Sequence, residues 1–410
     1  MPPHPNRKHG DNIGHLVWEE TGFIESVHDD KSFVAVSAAR VESFLERVDH
    51  LTWAWFTLPM ATGGLALLLG NQPHTFSGLL AIGKIFYIWD LLLFSTLSVG
   101  ITTRFIRGWG TGRLSKSFHN PTEGLFFPCF LISLSSIIPG MWIYGGEACG
   151  VWLAVVVRIL FWMYLAVAFL AAVGQYTLLF SGEQLTIQSM TPAWLLPFFP
   201  AMLTGIVAVT AVAANAQWPE QAFPIAVAGV AFQALGFWMA LFMFGVYVLR
   251  LMQSGFPAPN LRPGMFISVG PPNFTIVALI GLAQNVPRDY GYLSMHPAAH
   301  DQLQTMALVF GIFIWTLGFF FWSVSFVACV LGAKHMSFHM VWYAWVFPNV
   351  GFVLAIIKIG SQLESNAVEW VGSVLTIVLV GVYLFVLACQ TRALMRREIL
   401  WPGKDEDKDA

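Results

Sequence analysis

Between Trp53 and Leu394 the chain is a succession of long apolar stretches separated by short polar loops, and this pattern removes most folds from consideration. A helix that crosses the hydrocarbon core of a bilayer needs about 20 predominantly apolar residues. It also satisfies its backbone groups internally, as lipid demands. Ten such stretches are placed at 53–70, 78–103, 124–144, 149–181, 193–215, 222–253, 264–285, 302–332, 340–360 and 366–396. The expected fold is therefore an all-α membrane protein. Composition agrees, with 56% of the 410 residues hydrophobic and 11% charged, the profile of a chain solvated by lipid. A net charge of −2 is too small to imply a nucleic acid or a strongly charged protein as partner, and no nucleic acid is expected.

Three segments follow from this reading. Residues 1–52 form a polar, cytoplasmic amino-terminal segment with no signal-peptide pattern. Within it Val41, Phe44, Leu45, Val48 and Leu51 recur at helical spacing with charged residues between, which predicts an amphipathic helix along the interface. Residues 53–396 form the ten-helix domain and 397–410 a charged cytoplasmic tail. Arg104, Arg107, Arg113, Lys116, Arg250, Arg262 and Lys334 mark one side, whereas Glu147, Glu220 and Glu364 mark the other, with Arg288 the exception. Both termini are accordingly expected in the cytoplasm.

Odd and even spans differ in kind. Pro59, Pro128, Pro197, Pro200, Pro271, Pro272 and Pro348 fall in odd spans, while the even spans carry Pro224, in a first turn that tolerates it. The X-Pro pairs at Leu58, Phe127, Phe199, Gly270 and Phe347 recur once per pair of spans, which predicts five helix hairpins. Broken helices in a bilayer need protein or a water-filled cavity around the freed backbone groups. Kinked odd helices are thus expected to line a central pore, with straight even helices as an outer ring.

The polar groups of the odd spans are neutral: Thr57, Thr62, Ser133, Ser135, Ser136, Thr204, Ser268, Asn273, Thr275 and Asn349. A cation pathway needs acidic rings and a proton relay needs carboxylate or histidine chains, so anions or neutral solutes remain. Each hydroxyl is read either as a pore group or as a donor to its own helix backbone. A half-helix restarting after its proline would aim a partly positive end at the midplane, where a carboxylate could rest. Arg104, Arg262, Lys84 and Lys358 flank the path as vestibule cations or as topological anchors. Asp90 and Arg158, both in even spans, are expected to pair. His335 and His339 lack a second cluster, so no metal and no cofactor are expected. Cys129, Cys149, Cys329 and Cys389 read as small buried residues.

Taken together, Met60-Ala-Thr62-Gly63-Gly64, Arg262-Pro-Gly-Met-Phe266, Val269-Gly-Pro-Pro272-Asn273, Phe347-Pro-Asn-Val-Gly-Phe352 and Pro402-Gly-Lys-Asp-Glu406 resemble the tellurite-resistance and dicarboxylate transporter family, within it the fungal malic acid transport proteins. The resemblance runs nearly end to end. It implies a homotrimer with a pore in each protomer, small organic anions of the malate class as cargo, and a plasma-membrane location. It also implies a phenylalanine plug in the ninth helix, for which Phe347 is the candidate, with Trp345 and Phe352 beside it. Asn273 departs from the smaller residue expected there. An alternative with the same fold is a sulfite or other small-anion efflux channel, and an integral-membrane enzyme is disfavoured because no nucleophile–base pair is legible.

Overall fold

In the computed structural model, residues 47–182 and 186–401 are described. Of the interfacial helix expected over 41–51 and the charged tail expected over 397–410, the parts before 47 and after 401 lie outside them. Among the described residues, ten helices are long and apolar enough to cross a membrane: α1 (Trp53–Gly70), α2 (Leu79–Arg107), α3 (Pro128–Cys149), α4 (Val151–Ser181), α5 (Pro192–Ala214), α6 (Pro219–Ser254), α7 (Pro259–Asn285), α8 (Pro297–His335), α9 (Met340–Gln362) and α10 (Asn366–Met395). Among the described residues there is no strand.

Four odd helices begin as tight 3₁₀ turns, at Trp53–Phe56, Pro192–Phe198, Pro259–Val269 and Met340–Trp345, before widening into α-helix at Thr57, Phe199, Gly270 and Phe347. Pro59, Pro200, Pro271, Pro272 and Pro348 all sit in the first turn of the α portion, and Pro128 opens α3. Proline brings no N–H to the ladder, so it stands where the acceptor changes from the i−3 carbonyl of the 3₁₀ turn to the i−4 carbonyl of the α-helix. Pro139, which the alternating pattern omits, lies inside α3. Gly150 alone joins α3 to α4, at a φ of 69° that a side chain would disfavour.

Consecutive spans pack on one another, α1 on α2 and so on to α9 on α10, and each even helix also touches the next odd helix round. The odd helices are neighbours in the closed order α1, α3, α5, α7, α9 and back to α1. In the most apolar window of each odd helix, 94%, 56%, 83%, 94% and 94% of the residues are buried, against 17–33% in the even helices. Even helices therefore carry most of the lipid-facing surface, α1, α5, α7 and α9 carry little, and α3 lies between the two classes. Small residues draw the layers together: a β-carbon on Gly236 of α6 would meet Met202 Cβ of α5 at 2.3 Å, and one on Gly229 would meet Ala208 Cβ at 2.4 Å.

Candidate functional site

Three phenylalanines meet close to where the α portions of the odd helices start. Phe347 of α9 lies 5.0 Å from Phe274 of α7 and 6.3 Å from Phe199 of α5 between ring centroids, and Phe199 lies 6.1 Å from Phe274. Each ring is seated on a glycine of another odd helix. A β-carbon on Gly64 of α1 would fall 2.9 Å from Phe347, one on Gly351 of α9 2.9 Å from Phe274, and one on Gly270 of α7 2.5 Å from Phe199. Rings and glycines thus alternate around the axis. Beside them is a cavity of about 20 Å³, walled by residues from all five odd helices, among them Thr57, Cys129, Leu196, Ile267 and Phe347. Such a space holds about one water, and its wall is almost wholly apolar.

Most of the candidate hydroxyls have already given their proton to backbone. Thr62 donates to Leu58 O at 2.8 Å, Ser133 to Cys129 O at 2.9 Å, Ser268 to Met265 O at 2.6 Å and Thr275 to Pro271 O at 2.7 Å. They present lone pairs, which do not attract a carboxylate. Thr204 Oγ1 is buried without a partner. Thr62 also meets the Tyr383 hydroxyl of α10 at 2.9 Å, and Thr275 accepts from Gln233 Nε2 of α6 at 2.8 Å. Asn273 faces α8, its amide nitrogen 2.3 Å from a β-carbon built on Gly318. Pro272 is buried in the first turn of the α portion. Asn349 is turned away from Phe347 and lines a groove between α8 and α10.

Gly63 and Gly64 face different neighbours. Gly64 receives Phe347, whereas a β-carbon on Gly63 would stand 2.3 Å from Ser136 Oγ and 2.5 Å from Asp90 Oδ2. Asp90 is fully buried and turns its carboxylate to the Gly63 backbone. The expected Asp90–Arg158 pair is absent, because the Arg158 guanidinium lies over the Trp218 ring at 5.5 Å. Both residues sit in even helices, but on faces that do not meet.

The flanking cations divide. Arg104 is buried and grips both carboxylate oxygens of Glu123, with Leu51 O as a further acceptor at 2.8 Å. Ser117 donates to Glu123 at 2.8 Å and the Trp53 indole donates to Ser117 at 3.0 Å, so the Glu123 carboxylate is held by a buried network. Arg262 donates to Pro257 O at 3.1 Å and Ala328 O at 2.9 Å, tying the start of α7 to the end of α8. Lys84 is exposed on α2, and Lys358 is half-buried on α9. His339 accepts from the Val341 N–H at 3.1 Å and so opens the 3₁₀ turn of α9. Among the described residues no group of three or more His, Cys, Asp or Glu is arranged to hold a metal.

Phe199 and Phe274 were not singled out from the sequence. Their signal was present, since Phe199 stands beside Pro200 as Phe347 does beside Pro348, and Phe274 lies between Asn273 and Thr275. Of the three aromatic residues considered on α9, Phe347 joins the ring cluster. Phe352 instead stacks on Trp315 and Trp322 of α8.

Residues 50–391 match the SLAC1 family, described as voltage-dependent anion channel. A malic acid transport protein of Schizosaccharomyces pombe is 36% identical over 366 residues, covering 88% of this chain and 82% of the relative. A putative malic acid transport protein of the same yeast is 35% identical, covering 89% of this chain and 84% of its own length. More distant is the sulfite efflux pump SSU1 of Trichophyton rubrum, 22% identical over 82% of this chain and 88% of the relative. These proteins are transporters and channels, not enzymes. The chain is therefore a multi-pass helical membrane protein that belongs to the SLAC1 family of voltage-dependent anion channels.

Proposed function

We propose that the protein carries four-carbon dicarboxylates, malate first and succinate and fumarate with it, across the plasma membrane along the axis of the five odd helices, with Phe347 as the gate. The observation that carries this reading is the Phe199–Phe274–Phe347 cluster, rings from three odd helices packed together beside a cavity whose wall includes no charged side chain. An apolar constriction stops an ion by excluding its hydration water, and withdrawal of one ring removes that barrier. The likeness to the malic acid transport proteins supports the cargo. The same reading puts both termini in the cytoplasm, on the strength of Arg107, Arg113, Arg250 and Lys334, and three protomers in the assembly, each with its own route.

A malate dianion leaving a cell with a negative interior gains about 4.6 kcal/mol at 100 mV, from about 2.3 per charge. Export needs no other driver. The test is flux of labelled malate into and out of liposomes bearing the purified protein, with voltage and pH gradients imposed separately. Malate moving in the direction set by voltage supports the proposal, and no malate flux under either gradient overturns it.

A second reading, a sulfite or other small-anion efflux channel, is favoured by the tightness of the axis and by the likeness to the sulfite efflux pump. Sulfite flux that malate does not compete with would transfer the assignment to it.

A further inference from the structure

A lysine of α9 is turned toward the axis of the odd helices. Two sides of α9 are marked by their contacts. Asn349, Phe352 and Val353 line the groove between α8 and α10, whose outer lip of Phe326, Val330, Val378 and Phe385 is half exposed or more, so this is the lipid side of the helix. Phe347, Val350 and Gly351 mark the other side: the first two reach Gly64 of α1, and Gly351 receives the ring of Phe274 of α7. At about 100° per residue, Lys358 falls within about 20° of Phe347, about three turns and roughly 16 Å further along the helix. Its neighbours give the same facing, since Ile357 packs against Gly372 of α10 and Gln362 accepts from Gln284 Nε2 of α7 at 2.8 Å.

Lys358 is half-buried. Among the described residues it has no hydrogen bond and no ion pair, although Glu364 and Glu369 follow it in the chain. A lysine near the end of a span ordinarily carries its ammonium along the lipid face to the headgroups. That route is closed here, because the lipid side of α9 is the opposite one. An ammonium kept on an inward face without a carboxylate loses solvation that water or an anion has to restore.

We propose that Lys358 is an anion-binding site beyond the Phe347 ring, on the side that the proposed topology makes extracellular, where it holds one carboxylate of a small organic anion. Its place on the transport route rests on the gate reading above. An ammonium is a compact point charge without the rigid fork of a guanidinium, so it selects charge rather than the shape of the carbon chain. Malate, succinate and fumarate are therefore held alike.

The test treats purified full-length protein in detergent with trinitrobenzenesulfonate, an anionic reagent for lysine amines, and reads labelling residue by residue by mass spectrometry. Lys358 is expected to label, and saturating malate to slow its labelling by about fivefold or more. Lys334, exposed at the end of α8, labels at the same rate with and without malate. In liposomes Lys358→Met raises the KM for malate, succinate and fumarate by one common factor, about tenfold or more, as loss of a charge-assisted contact does. Its kcat stays within about twofold, and Lys358→Arg, which keeps the charge, stays within about threefold of the parent KM. An inert Lys358, labelling that malate does not slow, or an unchanged KM in Lys358→Met overturns the proposal. So does a KM raised for malate alone. Protection of Lys358 in a protein that carries no malate keeps the anion site and removes only the transport reading.

Discussion

The ring of Phe347 rests on the backbone of Gly64. A β-carbon added at Gly64 would approach Phe347 Cδ2 to 2.9 Å and Val350 Cγ2 to 3.4 Å, so α1 and α9 meet here at a distance that only glycine allows. Any movement of the ring is movement against α1.

Gly64→Ala is expected to destabilise the protein by about 1–3 kcal/mol, the usual cost of one methyl forced into a packed site. In a Phe347→Ala background the same change has room and loses most of that cost. Thermal unfolding of the four proteins in detergent measures the coupling. A coupling energy near zero would mean that the two residues do not bear on each other.

Phe347→Ala is expected to raise malate leak at zero voltage by about tenfold or more, equivalent to at least about 1.4 kcal/mol off the barrier. Liposome flux reads this directly, and unchanged conductance would show that the ring is not the plug.

Phe274→Ala is expected to raise leak as well, because Phe274 lies 5.0 Å from Phe347 and seats on Gly351. The Phe274→Ala/Phe347→Ala double variant should leak less than the product of the two single effects, as contacting residues do. Strict multiplicativity would indicate two separate barriers rather than one cluster.

The membrane architecture was legible because length, apolarity and proline position are local properties. The odd helices carry first-turn prolines and few charges, and these same helices are buried. The contacts that join helices were not legible. Phe199, Phe274 and Phe347 come from three helices far apart in the chain, and no local period shows that their rings meet. Asp90 and Arg158 looked like partners because both are charges in apolar stretches, yet helix facing decides pairing and sends Arg158 to Trp218. The hydroxyls read equally as pore groups or as backbone donors, and Thr62, Ser133 and Thr275 each take the i−4 carbonyl.

Arg104 provides the last case, since its sequence reading as a vestibule cation and its structural setting lead to opposite expectations. A cation that gathers substrate stands free, and its removal raises the KM for malate. Arg104 is buried, with its guanidinium on Glu123 and Leu51 O, and Glu123 in turn holds Ser117. Removing one partner of a buried ion pair leaves the other uncompensated, at about 3–5 kcal/mol, whereas replacing both by apolar residues is often close to neutral. Arg104→Met is therefore expected to lower thermal stability sharply, and Arg104→Met/Glu123→Met to recover most of the loss. The KM of the double variant for malate should stay within about twofold of the parent, a change of about 0.4 kcal/mol. A stable single variant with a raised KM would return Arg104 to the transport path.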